Sequence, residues 1–199
     1  MEYKELVEYR RSVYNLGKNI KVSDNKIEEM IKKVLYYAPS YYNAQGTKII
    51  LLTKEKHDFF WNTLVGEALK QKVNDESKFH RIEKKMEKFS KAYGTILFFE
   101  DMNLKEDLRE KFPEYKEQFE VWPVESNAMI QIMTWLGLRD LGFGASIQHY
   151  NPLIDDHVRI LYEVDPKMKL MAEMPFGEIV LDEPIKPKKD LKTRFKHFE

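Results

Sequence analysis

Gly94-Thr95-Ile96-Leu97-Phe98-Phe99-Glu100 is a near-continuous apolar run closed by polar residues. A run of this kind, without polar alternation, predicts a strand buried on both faces. The segments on either side supply the covering layers. Upstream, residues 77–92 read as a charged helix with Ile82, Met86 and Phe89 on its buried side, and residues 55–72 as a helical stretch with Phe59, Phe60, Leu64, Val65 and Leu69 recurring. Residues 48–53 are a second apolar strand. A helix begins after Ser23, a residue suited to capping, and carries Ile27, Met30, Ile31, Val34 and Leu35 on one stripe. It stops near Ala38, because Pro39 disfavours helical geometry in the residue before it. Residues 2–11 form a short helix.

Downstream, residues 104–120 are charged and aromatic, broken at Pro113, and read as a mobile excursion or lid. Residues 125–140 are a helix with Met129, Ile132, Met133, Leu136 and Leu138 on its apolar face. Residues 142–148 give a third strand, 153–163 a helix, and 169–181 a fourth extended segment. The pattern predicts an α+β domain over residues 1–199, helices covering a small sheet. Residues 184–199 differ: Pro184 and Pro187 prevent a regular helix, and from Lys186 on six basic residues stand against two acidic ones. Such an arm either frays or lies along a partner subunit or an anion.

The 199 residues carry 33 Lys plus Arg and 33 Asp plus Glu, a formal net charge of zero. That balance argues against a nucleic-acid binder, which needs excess cations for phosphates. No run approaches the roughly 18 apolar residues of a bilayer span, and the N-terminus lacks a signal-peptide centre. Without a cysteine, disulfides, zinc–thiolate sites and thiol nucleophiles are excluded. The expectation is a cytoplasmic protein with no membrane or nucleic-acid partner.

Four polar clusters carry candidate chemistry. Arg10-Arg11-Ser12 offers two forked cations and a hydroxyl, fit to clamp a phosphate or simply to solvate a surface helix. Asn43 and Gln45, after Pro39-Ser40, offer amide donors and acceptors that suit a planar heterocycle, or that satisfy a local turn. Gly142-Phe143-Gly144 runs into Ile147-Gln148-His149-Tyr150-Asn151-Pro152, where small residues admit close backbone approach to a ligand or to a packed neighbour. Lys192 and Arg194 lie in the basic arm.

In their order and spacing the four clusters resemble the flavin-dependent nitroreductases, over essentially the whole chain. The likeness is to the branch that includes the yeast fatty-acid repression mutant protein and similar-sized bacterial nitroreductases. The family pattern runs RRS, PSxxNxQ, a GLG-type junction and a closing KxR, here Arg10-Arg11-Ser12, Pro39-Ser40 with Asn43 and Gln45, Gly142-Phe143-Gly144, and Lys192 with Arg194. Two positions depart from it. Tyr14 stands where relatives often have a basic residue, and Gly46-Thr47 where they often have Pro-Trp.

The resemblance implies a nitroreductase-like fold, a central mostly antiparallel sheet flanked by helices in an intertwined homodimer with FMN at the interface. Arg10, Arg11, Ser12, Lys192 and Arg194 would surround the phosphate and ribityl chain. Asn43 and Gln45 would reach the ring edge or ribityl hydroxyls from the other subunit. Ile147, Gln148 and His149 would line the ring near N5 and O4. With Tyr14 replacing a cation, the expected positive group near N1 and O2 comes from Lys84, Lys85 or Lys88, of which Lys88 is the choice. The activity implied is ping-pong hydride transfer from NAD(P)H to nitroaromatic or quinone-type acceptors, with no catalytic side chain and no metal. His149 is read as a binding or packing residue. Phe112, Tyr115, Phe119 and Trp122 either stack on aromatic acceptors or pack. The competing readings are a flavin-binding sensor with little turnover and a cofactor-free interaction module.

Overall fold

The computed structural model describes residues 1–73 and 75–199, the side chain of Glu76 excepted. Its helices are α1 (Tyr3–Tyr9), α2 (Asp24–Tyr37), α3 (Lys54–Phe59), α4 (Gly66–Lys70), α5 (Glu76–Ser90), α6 (Leu104–Lys111), α7 (Gln118–Asp140) and α8 (Asp155–Leu161). Its strands are β1 (Asn15–Gly17), β2 (Thr47–Thr53), β3 (Gly94–Asp101), β4 (Gly144–Ala145) and β5 (Met168–Leu181). The strand order is β1-β5-β3-β2, with β4 also on β5, and every one of these strand pairs is antiparallel.

The run that opened the sequence reading is the middle of the sheet. Thr95, Leu97 and Phe99 point to one face, Ile96 and Phe98 to the other, because side chains alternate along a strand. On the first face Leu97 and Phe99 meet Phe60, Trp61 and Val65 of the α3–α4 region, Met86 and Phe89 of α5, and Val158 of α8. On the second, Ile96 and Phe98 meet Ile27, Ile31 and Val34 of α2 and Ile130 and Leu138 of α7. Residues 60–65 widen into a π-helical turn joining α3 to α4, so the stretch expected as one helix stays continuous.

Helix α2 has the expected limits, Ser23 preceding it and Ala38 closing it in extended geometry before Pro39. Other boundaries differ. Helix α7 starts at Gln118, seven residues before the expected start, and contains Pro123. Pro123 gives up one helical hydrogen bond, which burial of Pro123 itself and of Phe119 offsets. The expected strand 142–148 shrinks to Gly144–Ala145 with single bridges at Ser12↔Ala145 and Gln148↔Glu173. Gly142 turns the chain out of α7 at φ 89°, and Gly144 lets it pass against β1, where a Cβ would stand 3.0 Å from Val13 and Leu16. Strand β1 was not anticipated, being three residues whose only strand signal is their partner β5. Residues 104–120 are helical on both sides of Pro113, with Lys105 and Phe119 buried.

A buried polar knot ties the first face together. Thr95 Oγ1 accepts from Trp61 Nε1 at 2.8 Å and lies 2.8 Å from His57 Nδ1. Burial pushes the His57 imidazole down to about 4, keeping it neutral. Replacing the hydroxyl with a methyl in Thr95→Val leaves Trp61 N–H without an acceptor inside the core, so denaturant unfolding should show a loss of about 1–3 kcal/mol. An unchanged midpoint would mean the knot is dispensable.

Candidate functional site

Two of the four polar clusters meet at the β4–β5 edge of the sheet. The segment after α1 runs beside β4: Val13 N–H donates to the Ala145 carbonyl at 2.9 Å, and Ser12 bridges Ala145 in parallel. Three residues further, Gln148 pairs with Glu173. Ser12 and Val13 therefore meet Ala145 directly although far from it in sequence, and Gln148 follows along the same edge of β5.

Next to them is a cavity of about 470 Å³, lined by Arg10, Arg11, Ser12 and Tyr14 on one side and by the start of the C-terminal arm, including Lys186 and Lys188, on the other. Its size falls in the range of small-molecule and cofactor pockets. Arg11 Nη1 donates to the Glu183 carbonyl at 2.9 Å, fastening the arm to the cavity wall. Arg10 stacks its guanidinium 4.3 Å above the Trp135 ring, and burial together with Arg11 lowers its proton affinity. Two adjacent guanidiniums, a hydroxyl and two lysines surround one hollow whose wall also carries Glu8 and Glu183, a cation excess that suits a phosphate monoester. Lys192 and Arg194 do not line this cavity; they stand beyond it on the exposed arm, around the turn Leu191–Thr193. Lys186 and Lys188 were not singled out in sequence, where nothing separates them from the other cations of the same tail.

The Asn43 and Gln45 cluster lies elsewhere. It precedes β2, whose Thr47 pairs with Glu100, which in turn pairs with Lys169, whereas Ala145 pairs with Phe176. Lys169 and Phe176 are on the order of 20 Å apart at strand rise. Within one chain Asn43 and Gln45 thus stay away from the arginine cavity. Nor is their loop extended: Tyr42, Asn43 and Gln45 all have positive φ, 46°, 56° and 53°. Left-handed geometry is unfavourable for such residues and persists only where surroundings enforce it. Ser40 Oγ accepts from Gln45 N–H and Ser126 Oγ from Tyr41 N–H, both at 3.0 Å. Tyr42 stacks on Phe112 at 5.2 Å and leans on Phe119 and Trp122. The aromatic residues of 112–122 hence pack on this loop, and with Pro39, Ser126 and Met129 the side chains of Tyr42 and Trp122 border a hollow of about 300 Å³.

Beneath that loop lies a carboxyl that sequence reading missed. Glu100 is fully buried, takes a hydrogen bond from Thr47 Oγ1 at 2.5 Å and another from Asn127 Nδ2 at 3.1 Å, and burial raises its proton affinity. A Cβ on Gly46 would stand 2.6 Å from Glu100 Oε1. The Gly46-Thr47 pair is built around this carboxyl, the one providing space and the other a donor. The signal was the polar residue closing the apolar run at Glu100, legible only with its partners known.

The lysines of α5 separate by face. Lys84, Lys88 and Lys91 border an open cavity of about 790 Å³ with Lys18 and Asp58, where Lys18 pairs with Asp58 at 2.6 Å. Lys85 instead stands 5.2 Å over the Tyr150 ring, next to Gln148 and His149, and desolvation lowers its proton affinity. His149 is exposed. Among the described residues no cluster of three or more His, Asp or Glu could hold a metal, and no helix is long and apolar enough to cross a membrane.

Comparison with known proteins agrees with this geometry. The model of the nitroreductase family matches residues 7–178. Nitroreductase FRM2 of Saccharomyces cerevisiae is 25% identical over 154 residues, 76% of each chain. The structure of nitroreductase CinD from Lactococcus lactis in complex with chloramphenicol superposes with a TM-score of 0.90 at 32% identity, covering 100% of both chains, and the same enzyme was solved with 4-nitrophenol. A nitroreductase-like protein of Exiguobacterium sibiricum in complex with FMN shares the fold, with a TM-score of 0.70 at 13% identity. This chain therefore belongs to the nitroreductase family, with its nitroreductase-like fold.

Proposed function

We propose that the protein is an FMN-dependent oxidoreductase that passes hydride from NAD(P)H to nitroaromatic or quinone-type acceptors, working as a homodimer in the cytoplasm. The observation that carries this reading is the basic cavity walled by Arg10, Arg11, Ser12, Lys186 and Lys188, at the point where Ser12 bridges Ala145. Family membership implies a flavin-dependent oxidoreductase, and the donor set of the cavity suits the phosphate of FMN rather than an uncharged flavin.

In this reading Arg10, Arg11 and Ser12 hold the phosphate, and Lys192 and Arg194 reach it when the arm folds over. The backbone of Ile147 and Gln148, fixed on β5, orients the ring, and His149 flanks it. Tyr14 lies on the ring's pyrimidine side, and the cation there is Lys88 or, from its position over Tyr150, Lys85. Bound FMN supplies the hydride chemistry, so the chain's part is to bind, orient and shield. The hollow between Tyr42 and Trp122 suits a flat aromatic acceptor, in keeping with the nitroaromatic ligands of CinD.

Two features support a dimer. Asn43 and Gln45 stand too far from Arg11 to share its site within one chain, so a second copy has to bring them. Helix α7 also leaves Val121, Val124, Met129 and Ile132 exposed although its other sides are buried in the core, and an apolar helix of that kind calls for a further covering surface.

The purified protein should be yellow, and anaerobic NADH or NADPH should bleach its flavin band. A yellow protein bleached by neither nucleotide would support the sensor, and a colourless one that takes up no FMN would remove the reading altogether. Arg11→Ala and Asn43→Ala should each weaken FMN binding about tenfold to a hundredfold, the scale of a charged hydrogen bond. When subunits of the two variants are exchanged, wild-type affinity should return in roughly a quarter of all sites, because random pairing into two-fold dimers rebuilds one complete site per mixed dimer. Equilibrium dialysis that finds no recovered sites after verified exchange would place both residues in the same subunit's site and contradict the shared arrangement.

A further inference from the structure

Glu173 sits in the middle of β5, fully buried, opposite Leu97 of β3 on the apolar first face. A carboxyl is rarely buried completely without a partner cation. Its main chain exchanges both hydrogen bonds with Gln148, at 2.7 and 3.0 Å, and its Oε2 accepts from Tyr150 N–H at 3.0 Å. One residue thus holds the chain on both sides of His149. Its other oxygen, Oε1, is buried with no hydrogen-bond partner.

The groups around this carboxyl offer it no counter-ion. From the loop, Tyr150 presents its backbone and a buried hydroxyl that also lacks a partner. From α8, Asp155 brings a second carboxyl, whose Oδ1 is likewise unpartnered, with Asp156 beside it. Lys169, on β5 itself, acts on Asp155, and Lys85 of α5 spends its charge on the faces of Phe89 and Tyr150. From α3, His57 is on the same sheet face through Thr95 and is kept neutral by burial. Burial, reinforced by Asp155, raises the Glu173 carboxyl from 4.5 to about 8.

We propose that Glu173 is the positioning residue of the segment 147–150: as a neutral acid it latches that segment to β5, and on ionising it loosens the latch. A neutral carboxyl accepts the Tyr150 N–H through one oxygen and brings no charge into the core. Ionised, it sets a second negative charge near Asp155 in an apolar surrounding, and the strain is relieved when the segment swings out and admits water. On the flavin reading given above, this segment faces the ring, so flavin affinity follows the state of the latch. The latch itself does not depend on that reading.

Because the folded carboxyl holds its proton to a higher pH than the unfolded one, its contribution is complete below 4.5 and is lost as pH rises through about 8. Hydrogen exchange measured by mass spectrometry on the flavin-free full chain, corrected for intrinsic rates, reads the latch directly. In the wild type, peptides covering 147–150 should lose protection by up to about tenfold per pH unit as pH rises toward 8 and level off above it, because the opened carboxyl ionises first. Glu173→Gln, always neutral and still able to accept from Tyr150, should stay flat. Asp155→Asn, which removes the neighbouring charge, should move the transition to lower pH and serves if the first variant does not fold. FMN titration over the same range should show wild-type affinity falling and Glu173→Gln affinity constant. Identical pH dependence of exchange in the wild type and Glu173→Gln overturns the proposal, as does an Asp155→Asn transition left in place. A wild type that binds no FMN at any pH sinks the flavin reading alone, while the exchange result still decides the latch.

Discussion

The double-sided pairing of β5 is the constraint on which the rest of the molecule depends. Along one edge its residues from Met168 to Phe176 form the ladder with β3. Along the other it receives three separate segments in turn: Gln148 at Glu173, β4 at Phe176 and Gly177, and β1 from Glu178 to Leu181. Backbone hydrogen bonds are obligatory for buried amides and carbonyls. Meeting that obligation with short pieces rather than one long neighbour is what brings Ser12 and Val13 into contact with Ala145. The arginine cavity is therefore a by-product of how a buried strand satisfies its outer edge.

The same strand divides the chemistry. At one end stand the cations, at the other a strained loop with its aromatic support, and neither end alone offers both an anion clamp and a hollow for a flat molecule. On the reading proposed here, two copies of the chain laid against each other complete what each lacks. Buried carboxyls underlie both ends, Glu100 below the loop and Glu173 below the Gln148–Tyr150 segment. Desolvation raises the proton affinity of both.

What could be read in advance was whatever local chemistry determines. The central strand followed from seven consecutive residues, and the limits of α2 from Ser23 and Pro39. The arrangement of the clusters on a common fold came through the order of motifs, which no single motif carried. What could not be read depends on partners distant in sequence. Strand β1 exists because β5 is there to pair with it. Helix α7 absorbs Pro123 because Phe119 finds a buried place. Lys85 and Lys88 are three residues apart on one helix, yet only the rotation fixed by Ile82, Met86 and Phe89 sends one over Tyr150 and the other toward Asp58. Nothing local told the inner tail cations Lys186 and Lys188 from Lys192 and Arg194.

The turn holding Tyr42, Asn43 and Gln45 in left-handed geometry behaves as a spring kept cocked by its neighbours. Its shape is stored in the Phe112, Phe119 and Trp122 rings and in two serine hydroxyls rather than in the turn's own residues. Substitutions here would therefore be of two kinds: changes at Asn43 or Gln45 alter the loop's polar surface, whereas changes at the rings release the spring and redraw the hollow wholesale.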